Sequence, residues 1–420
     1  PGADGEITLR EMIIAANNMP GENTISFSVE GVVAPVSQLP EFTDMTGGTT
    51  LDGGGLITID GSNLSGQECG LVLHSEGNVI AGLTVVSFPG QGILIEGADA
   101  TANRIQGSHI GTDGVVPMPN GDSGVLVRGG ATGNFVGVVE AVAPSLEKGL
   151  LASALRNIIS GNRVYGIHVT GVNTSGNVIA NNLIGTDSAG ALAVPNEAHG
   201  VAISEGATNN VVGGTAPGAG NVISGNQQEG IRINGPVVQG TLVQGNLIGL
   251  TADGTAALQN NTQGIHVTQG ASGVTIGGTV AGAGNVIAGN NDQGILISEA
   301  TTNRIFVRQN SIYGNRNLAI LRLQDANPGT QPPVLNGIGS TANTALANAT
   351  IDVFADDENE ARIYLGTVTA NGAGVFTIPH ALLEGQEDLG SMFLTATATT
   401  DNLGTSVLST PLALTPPGIT

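Results

Sequence analysis

Short apolar runs alternate with polar and glycine positions along most of this chain. Clear examples are 200–203 (GVAI), 210–212 (NVV), 221–223 (NVI) and 230–233 (GIRI). Alternation with a period of two, bounded by Gly and Asn, predicts short strands joined by tight turns. No helical pattern of about ten residues lies between these strands, which excludes a fold of alternating strands and helices.

The pattern recurs at a fixed interval of 64 residues. The block NIISGN at 157–162 returns as NVISGN at 221–226 and as NVIAGN at 285–290. A fixed period marks a repeat architecture, and strands without helices favour a right-handed parallel β-helix, a solenoid of stacked coils. Because one coil of such a solenoid takes roughly 21 residues, we predict three coils in each 64-residue repeat.

Asparagines hold equivalent corners of these repeats. Asn tolerates the left-handed conformation that a corner requires, and stacked Asn side chains form ladders of amide hydrogen bonds. Val and Ile between the corners point inward and fill a thin core. We therefore predict ladder or turn roles for six residues: Asn157, Asn162, Asn221, Asn226, Asn285 and Asn290.

The two ends of the chain depart from the repeat. Near the N-terminus, Thr8 and Glu11 have the spacing of a capping box, and an apolar face follows, which predicts a helix over 8–18 that covers the first coils. After residue 338 the predicted strands become longer and are spaced as in a small antiparallel β-sandwich. These strands are expected at 349–355, 363–369, 374–378 and 392–398.

The expected organisation is therefore all-β with four parts. We predict an N-terminal cap with the first strands over 1–49, the parallel β-helix over 50–338, an Ig-like β-sandwich over 339–416, and a tail or linker start over 417–420. An insertion around 140–155 is the one internal stretch with a helix-forming composition. The chain begins at Pro1 without Met, from which we expect a processed or trimmed N-terminus.

Composition and charge exclude two classes of partner. The net charge is −22 with only 12 basic residues, so phosphate backbones and anionic membrane surfaces repel the chain. No window of about 20 apolar residues predicts a membrane-spanning helix. Cys69 is the only cysteine, so an intramolecular disulfide is excluded.

Three groups of residues resemble bacterial exported proteins. The stretch TLRE at 8–11, with Ala16 and Asn17 and then PGENTI at 20–25, resembles an N-terminal CSLREA-type motif, although Ile7 stands before Thr8 and the initial Cys is not present. The NVISGN and IGTD blocks resemble the parallel β-helix repeats of bacterial secreted or surface proteins. The region from about 353 to 398 resembles a bacterial Ig-like module. The resemblance implies an extracellular or cell-surface location and no particular activity.

The search for catalytic and metal-binding residues assigns none from the sequence, and no cofactor is expected. Calcium is the one metal considered, because Asp113 and Asp187 both follow Ile-Gly-Thr, but a calcium site needs six to eight oxygens. His168 and His266 lie 98 residues apart rather than 64 and are interpreted as isolated, exposed strand residues. The only Asp pair, Asp356-Asp357, is expected in a solvated turn.

These observations favour a non-catalytic β-helix that serves as a stalk, adhesin or fibre subunit, with other copies of itself or extracellular glycans as partners. The alternative is a carbohydrate-active enzyme, either a polysaccharide lyase or a glycosidase, or a carbohydrate-binding module on one face of the β-helix. An enzyme of this shape lines one face with carboxylates and aromatic residues, and the sequence pattern does not predict such a row.

Overall fold

The computed structural model describes residues 7–138, 155–358, 360–386 and 392–414, and its central part is a parallel β-helix. The predicted fold class is confirmed. Each coil contributes one strand to each of three faces, and strands of successive coils pair in parallel. On the first face, for example, Ile167 pairs with Val201, and Val201 pairs with Ile231. Equivalent residues therefore stack along the solenoid axis at about 4.8 Å per coil.

Face 1 is a nine-stranded parallel sheet. Its strands are Leu71–Leu73, Ile93–Glu96, Val125–Arg128, Ile167–Thr170, Val201–Ser204, Ile231–Asn234, Ile265–Thr268, Ile295–Ile297 and Ile320–Arg322. Face 2 contains Arg104–Gln106, Phe135–Gly137, Val178–Ala180, Val211–Gly213, Leu242–Gln244, Thr275–Gly277 and Phe306–Arg308. Face 3 contains His109–Ile110, Asn157–Ile159, Asn182–Ile184, Val222–Ile223, Leu247–Ile248, Val286–Ala288 and Ser311–Tyr313. Faces 2 and 3 merge at the N-terminal end in Asn23–Ser26, Gly31–Val33, Thr49–Asp60 and Val79–Val86.

Each 64-residue repeat forms two coils, so the prediction of three coils is wrong. The pairings on face 1 advance by 34 residues from Ile167 to Val201 and by 30 from Val201 to Ile231. The two coils of a repeat differ in length because their connecting loops differ, whereas their strands remain two to four residues long. With three strands and three corners, one coil takes about 32 residues rather than the roughly 21 assumed from the sequence.

The interior is a thin stack of aliphatic side chains between three columns of asparagine. Inward residues of face 1 such as Ile167, Val169, Val201 and Ile203 are fully buried. At a corner beside face 3, Gly225 has a φ of +76°, a conformation that glycine adopts without steric cost. Asn226 follows directly, and its side chain points into the solenoid, where it is 1% exposed.

The asparagine columns are continuous hydrogen-bonded stacks in which the side-chain amide of each coil donates to the side-chain oxygen of the next. Asn157, Asn221 and Asn285 lie in a column on face 3 with Asn182, Asn246 and Asn310, at N···O distances of 2.8–2.9 Å. Asn162, Asn226 and Asn290 lie in a corner column with Asn120, Asn196, Asn260 and Asn315, at 2.9–3.0 Å. A further column consists of Asn78, Asn103, Asn134, Asn177 and Asn210.

The N-terminal end of the solenoid is covered by the helix Leu9–Asn17, close to the predicted span. Thr8 and Glu11 form the capping box, since the Thr8 side chain accepts the Glu11 N–H while the Glu11 carboxylate accepts the Thr8 N–H. Leu9, Ile13 and Ala16 face the core. The helix shields the hydrogen-bonding edge of the first coils, which would otherwise be open to pairing.

The C-terminal end is covered by antiparallel sheets. Their strands are Asn343–Thr344, Thr350–Asp356, Ile363–Thr369, Val375–Phe376, Phe393–Thr400, Gly404–Thr405 and Leu412–Ala413, with a 3-10 helix at His380–Leu383. Thr405 donates its N–H to Ile305 of the last coil, and Arg308 forms a buried ion pair with Asp352 at 2.5 Å. Both ends of the solenoid are thus covered, which opposes head-to-tail stacking of coils into a filament.

Three further sequence predictions concern the insertion, the C-terminal tail and the Asp pair. The insertion around 140–155 lies almost wholly outside the described residues, as does the tail over 417–420. Of the pair Asp356-Asp357, expected to be solvated, Asp356 is 1% exposed and Asp357 is exposed. Asp356 ends a strand that pairs with Phe393 in the sheet, which removes its side chain from water.

Candidate active site

Two rows of outward-facing side chains run along the middle of face 1. One row lies on the strands, where His168, Ala202, Arg232 and His266 occupy successive coils in exact register. The other row lies three residues earlier, at the turn that enters each strand, and contains Tyr165, His199, Glu229 and Gln263. The polar members of these rows from four coils form one group. We call it the face-1 cluster: Tyr165, His168, His199, Glu229, Arg232 and His266.

Glu229 is the centre of the cluster, and three basic side chains surround its carboxylate. Its Oε2 lies 2.7 Å from His199 Nδ1, and its Oε1 lies 2.9 Å from Arg232 Nη1 and 3.1 Å from His266 Nδ1. The Glu229 side chain is 6% exposed. The His199 contact is short, although its geometry departs from that of a linear hydrogen bond.

The pKa of Glu229 reflects two opposing effects. Burial by itself raises the pKa, because a carboxylate loses its hydration, but His199 and His266 stabilise the charged form and hold the pKa well below the usual range of Glu. Glu229 is therefore ionised near neutral pH. A carboxylate in this state can orient or stabilise a cationic neighbour, but it cannot serve as a proton donor.

Aromatic rings line the N-terminal side of the cluster. The Tyr165 ring stacks on His199 with ring centroids 5.2 Å apart and meets His168 edge-on at 4.7 Å. Burial raises the pKa of Tyr165, so its hydroxyl stays protonated near neutral pH. Burial lowers the pKa of His168 to about 4, so this ring is neutral. Its Nε2 lies 2.8 Å from Ser204 Oγ.

Several polar atoms of the cluster have no hydrogen-bond partner within the described part of the chain, among them His168 Nδ1. Neither the Tyr165 hydroxyl nor His199 Nε2 has a hydrogen-bond partner there, whereas His266 uses both ring nitrogens, on Glu229 and on Ser298 Oγ at 2.9 Å. Arg232 bonds Glu229 through Nη1 alone. The cluster thus presents one hydroxyl donor, one imidazole nitrogen and an incompletely paired guanidinium on one surface.

The interpretation of His168 and His266 as isolated strand residues is wrong. Three coil steps of 34, 30 and 34 residues separate them, so the 98-residue interval places them in the same row. Sequence reasoning also missed Tyr165, His199, Glu229 and Arg232. A signal was present: these residues occupy repeat-equivalent positions, yet their identities differ, with Tyr165 replaced by Glu229 and His168 by Arg232 after 64 residues.

Asp113 and Asp187, the residues considered for calcium, lie in loops beside face 3. The Asp113 side chain accepts the N–H groups of Val115 and Val116, and that of Asp187 accepts those of Ala191 and Leu192. Both carboxylates therefore close turns. In the described ranges, no three His, Cys, Asp or Glu side chains are grouped as a metal site, and no helix is long and apolar enough to cross a membrane.

No protein-family model and no curated protein matches the chain. Among solved structures, the periplasmic alginate epimerase AlgG is similar, with 16% identity, 73% of this chain and 74% of that chain covered, and a TM-score of 0.39. The A-module of the Azotobacter vinelandii mannuronan C-5 epimerase AlgE4 is 15% identical, and the match covers 75% of this chain and 83% of that chain with a TM-score of 0.43. A PL6 alginate lyase in complex with a trisaccharide has 12% identity, coverage of 77% and 79%, and a TM-score of 0.34.

The prediction of a non-catalytic stalk, adhesin or fibre subunit is wrong. The structural neighbours of the chain are mainly carbohydrate-active enzymes. Face 1 does bring one aromatic residue and one carboxylate, Tyr165 and Glu229, to positions two coils apart.

Proposed function

We propose that this protein is a carbohydrate-active enzyme that cleaves a uronate-containing polysaccharide by β-elimination at the face-1 cluster. The observation that carries the proposal is the contact between His199 Nδ1 and the buried carboxylate of Glu229, at 2.7 Å. A base held by a carboxylate on one ring nitrogen presents the other nitrogen to substrate, which is the arrangement of a general base with its positioning residue.

The roles follow from the polar atoms of the cluster that have no partner among the described residues. His199 Nε2 takes the proton from the substrate carbon next to the carboxylate, a carbon–carbon double bond forms, and the glycosidic carbon–oxygen bond breaks. Tyr165, whose pKa is raised by burial, donates its hydroxyl proton to the leaving sugar oxygen. Solvent then returns the proton from His199 to Tyr165. The nitrogens of Arg232 that do not bond Glu229 pair with the substrate carboxylate, where negative charge develops.

Glycoside hydrolysis fits this cluster less well. A glycosidase requires one carboxylic acid of raised pKa together with a second carboxylate. Glu229, the carboxylate at the centre of the cluster, has a lowered pKa and three basic partners. The unengaged groups are a phenol and an imidazole, which suit proton abstraction and proton donation better than displacement at a sugar carbon.

We further propose that the protein works outside the bacterial cytoplasm, where polysaccharides of this kind are found. The resemblance of the N-terminal TLRE stretch and of the C-terminal sheets to exported modules supports this location. Fractionation of the source cells, with the native protein detected by antibody, tests it. Recovery in the cytoplasm alone would contradict the location without bearing on the chemistry.

The activity is tested by incubating the full chain with a panel of uronate-containing polysaccharides and following the ultraviolet absorbance of the unsaturated product. We expect His199→Ala to lower the rate by about 10²–10⁴, the usual contribution of a general base, when it is assayed well below its melting temperature, because the loss of a buried partner of Glu229 also lowers stability. Gln227→Ala, an exposed substitution one coil from His199, is the matched control. Absence of turnover and of binding on every member of the panel would overturn the proposal.

A further inference from the structure

A pocket of about 270 Å³ lies on the N-terminal side of the face-1 cluster. Its polar lining includes Gln91, Asp122 and Arg128. The turn row of face 1 passes from Gln91 through Ser123 to Tyr165 on three successive coils, because Ile93 pairs with Val125 and Val125 with Ile167. Asp122 directly precedes Ser123, so its side chain lies one coil, about 5 Å, before Tyr165 along the axis.

The backbone and the electrostatics both connect this pocket to the cluster. Val164, the neighbour of Tyr165, donates its N–H to the Asp122 carbonyl oxygen at 3.2 Å. The Asp122 charge contributes to the raised pKa of Tyr165, after the larger effect of burial. A glycan that lies along the solenoid with one sugar at Tyr165 and His199 therefore places its neighbouring sugar at Asp122, since a sugar in an extended chain advances by a similar distance.

The charged groups of the pocket do not favour a second uronate. Among the described residues, Asp122 accepts hydrogen bonds from neutral groups alone, Gln91 Nε2 at 2.9 Å and Ser123 Oγ at 3.1 Å. Arg128 is paired with Glu96, through Nε at 2.9 Å and Nη2 at 3.3 Å. Arg163 lies 3.7 Å from Glu197. A carboxylate beside Asp122 would thus meet a like charge, whereas sugar hydroxyls would find an acceptor and an amide.

The opposite flank repeats this arrangement. Gln263 Nε2 donates to Asp292 Oδ2 at 2.7 Å, and Ile265 pairs with Ile295, so Asp292 has the same position relative to Gln263 as Asp122 has to Gln91. Asp292 also accepts Asn317 Nδ2. Along the axis, the incompletely paired Arg232 is therefore flanked on both sides by a carboxylate held by neutral amides.

From this order of charges we infer that the substrate is a heteropolysaccharide in which the reacting uronate is flanked by uncharged sugars, and that Asp122 and Asp292 select against homopolymeric polyuronates. The inference rests on the proposed function and specifies its substrate. Repulsion between like charges weakens the binding of a charged competitor and adds nothing to the binding of the favoured substrate. Asp122 and Asp292 therefore select the substrate by excluding polyuronates.

The experiment compares kcat/KM on polysaccharides in which each uronate is flanked by neutral sugars, such as hyaluronan and deacylated gellan (the alternating group), with kcat/KM on alginate and polygalacturonate. We expect a preference of at least about tenfold for the alternating group. Added salt should reduce the preference, because it screens the exposed carboxylates. This salt series uses the unaltered protein and does not depend on the folding of any variant.

Asp122→Asn sharpens the test, since the amide keeps an oxygen for Gln91 but loses the charge. The ratio of kcat/KM between the two groups should fall by about tenfold, whereas an effect through the pKa of Tyr165 would change both groups equally. Asp253→Asn, in an exposed loop, is the control. Equal or better turnover of homopolyuronates by the unaltered protein would overturn this inference alone. Absence of binding and turnover on all of these polysaccharides would overturn the proposed function with it.

Discussion

The asparagine columns and the face-1 cluster occupy the same coils but follow opposite rules. In the column that contains Asn221, every coil supplies the same residue, because each amide must donate to the coil on one side and accept from the other. In the turn row of face 1, four successive coils supply Tyr165, His199, Glu229 and Gln263. A residue that is repeated from coil to coil thus indicates a stacking role, whereas residues that differ at equivalent positions indicate a candidate functional site.

The two regions also differ in how they satisfy buried polar groups. The columns are neutral, and their amides are almost fully buried and reciprocally bonded. The cluster buries an ionised carboxylate among three basic groups and leaves a hydroxyl and an imidazole nitrogen without a described partner. A protein tolerates such incomplete pairing where a ligand completes it. Substitutions in the two regions should therefore have separable effects on stability and on activity.

The largest expected effect comes from removing the charge that positions His199. Glu229→Gln should lower kcat by about 10²–10⁴ with little change in KM, equivalent to about 3–5 kcal/mol of transition-state stabilisation. Steady-state kinetics measures kcat and KM separately, and circular dichroism verifies that the variant is folded.

The matched control for that prediction is His266→Gln, which removes a partner from the other oxygen of Glu229 and leaves His199 in place. Its effect on kcat should be at most about tenfold. Equal losses of kcat in the two variants would mean that the Glu229 carboxylate only stabilises the local structure and does not position His199.

A second effect concerns acid stability on face 1. His168 has a pKa near 4 in the folded protein because of burial, against about 6.5 in an unfolded chain. The folded state therefore binds fewer protons between these values, and stability is lost as pH falls from 6.5 to 4. Because Gln does not titrate, we expect His168→Gln to reduce this loss of stability by up to about 3 kcal/mol. Urea unfolding of the variant and the unaltered protein at pH 7 and pH 4 measures the difference. If both proteins lost the same stability in acid, the His168 ring would be solvated instead of buried.

The smallest expected effect lies in the columns and should leave the chemistry untouched. Asn221→Leu removes the donor to Asn246 Oδ1 and to the Ile179 carbonyl and the acceptor for Asn182. The free energy of unfolding should fall by about 1–3 kcal/mol, the cost of a buried polar group left unpaired, while kcat per folded molecule stays constant. Asn261→Leu, at an exposed position, should change stability by less than about 0.5 kcal/mol.

Local sequence patterns were sufficient to predict much of the fold. Period-two alternation of Val and Ile identified the strands, because inward and outward positions are decided within two or three residues. Thr8 and Glu11 identified the helix start in the same way, since a capping box is closed over four residues. The repeated Asn-Val-Ile blocks indicated a stack of equivalent coils. All of these signals lie in contiguous sequence.

The number of residues in a coil and the composition of the candidate site were decided by the tertiary structure. Coil length depends on loops that close over ten or more residues without a strong local signature, so two coils of 34 and 30 residues looked like three equal ones. The same lengths bring Tyr165 and His266 to one face although about 100 residues separate them. Sequence decides which way a side chain points, but the closure of each coil decides which side chains meet.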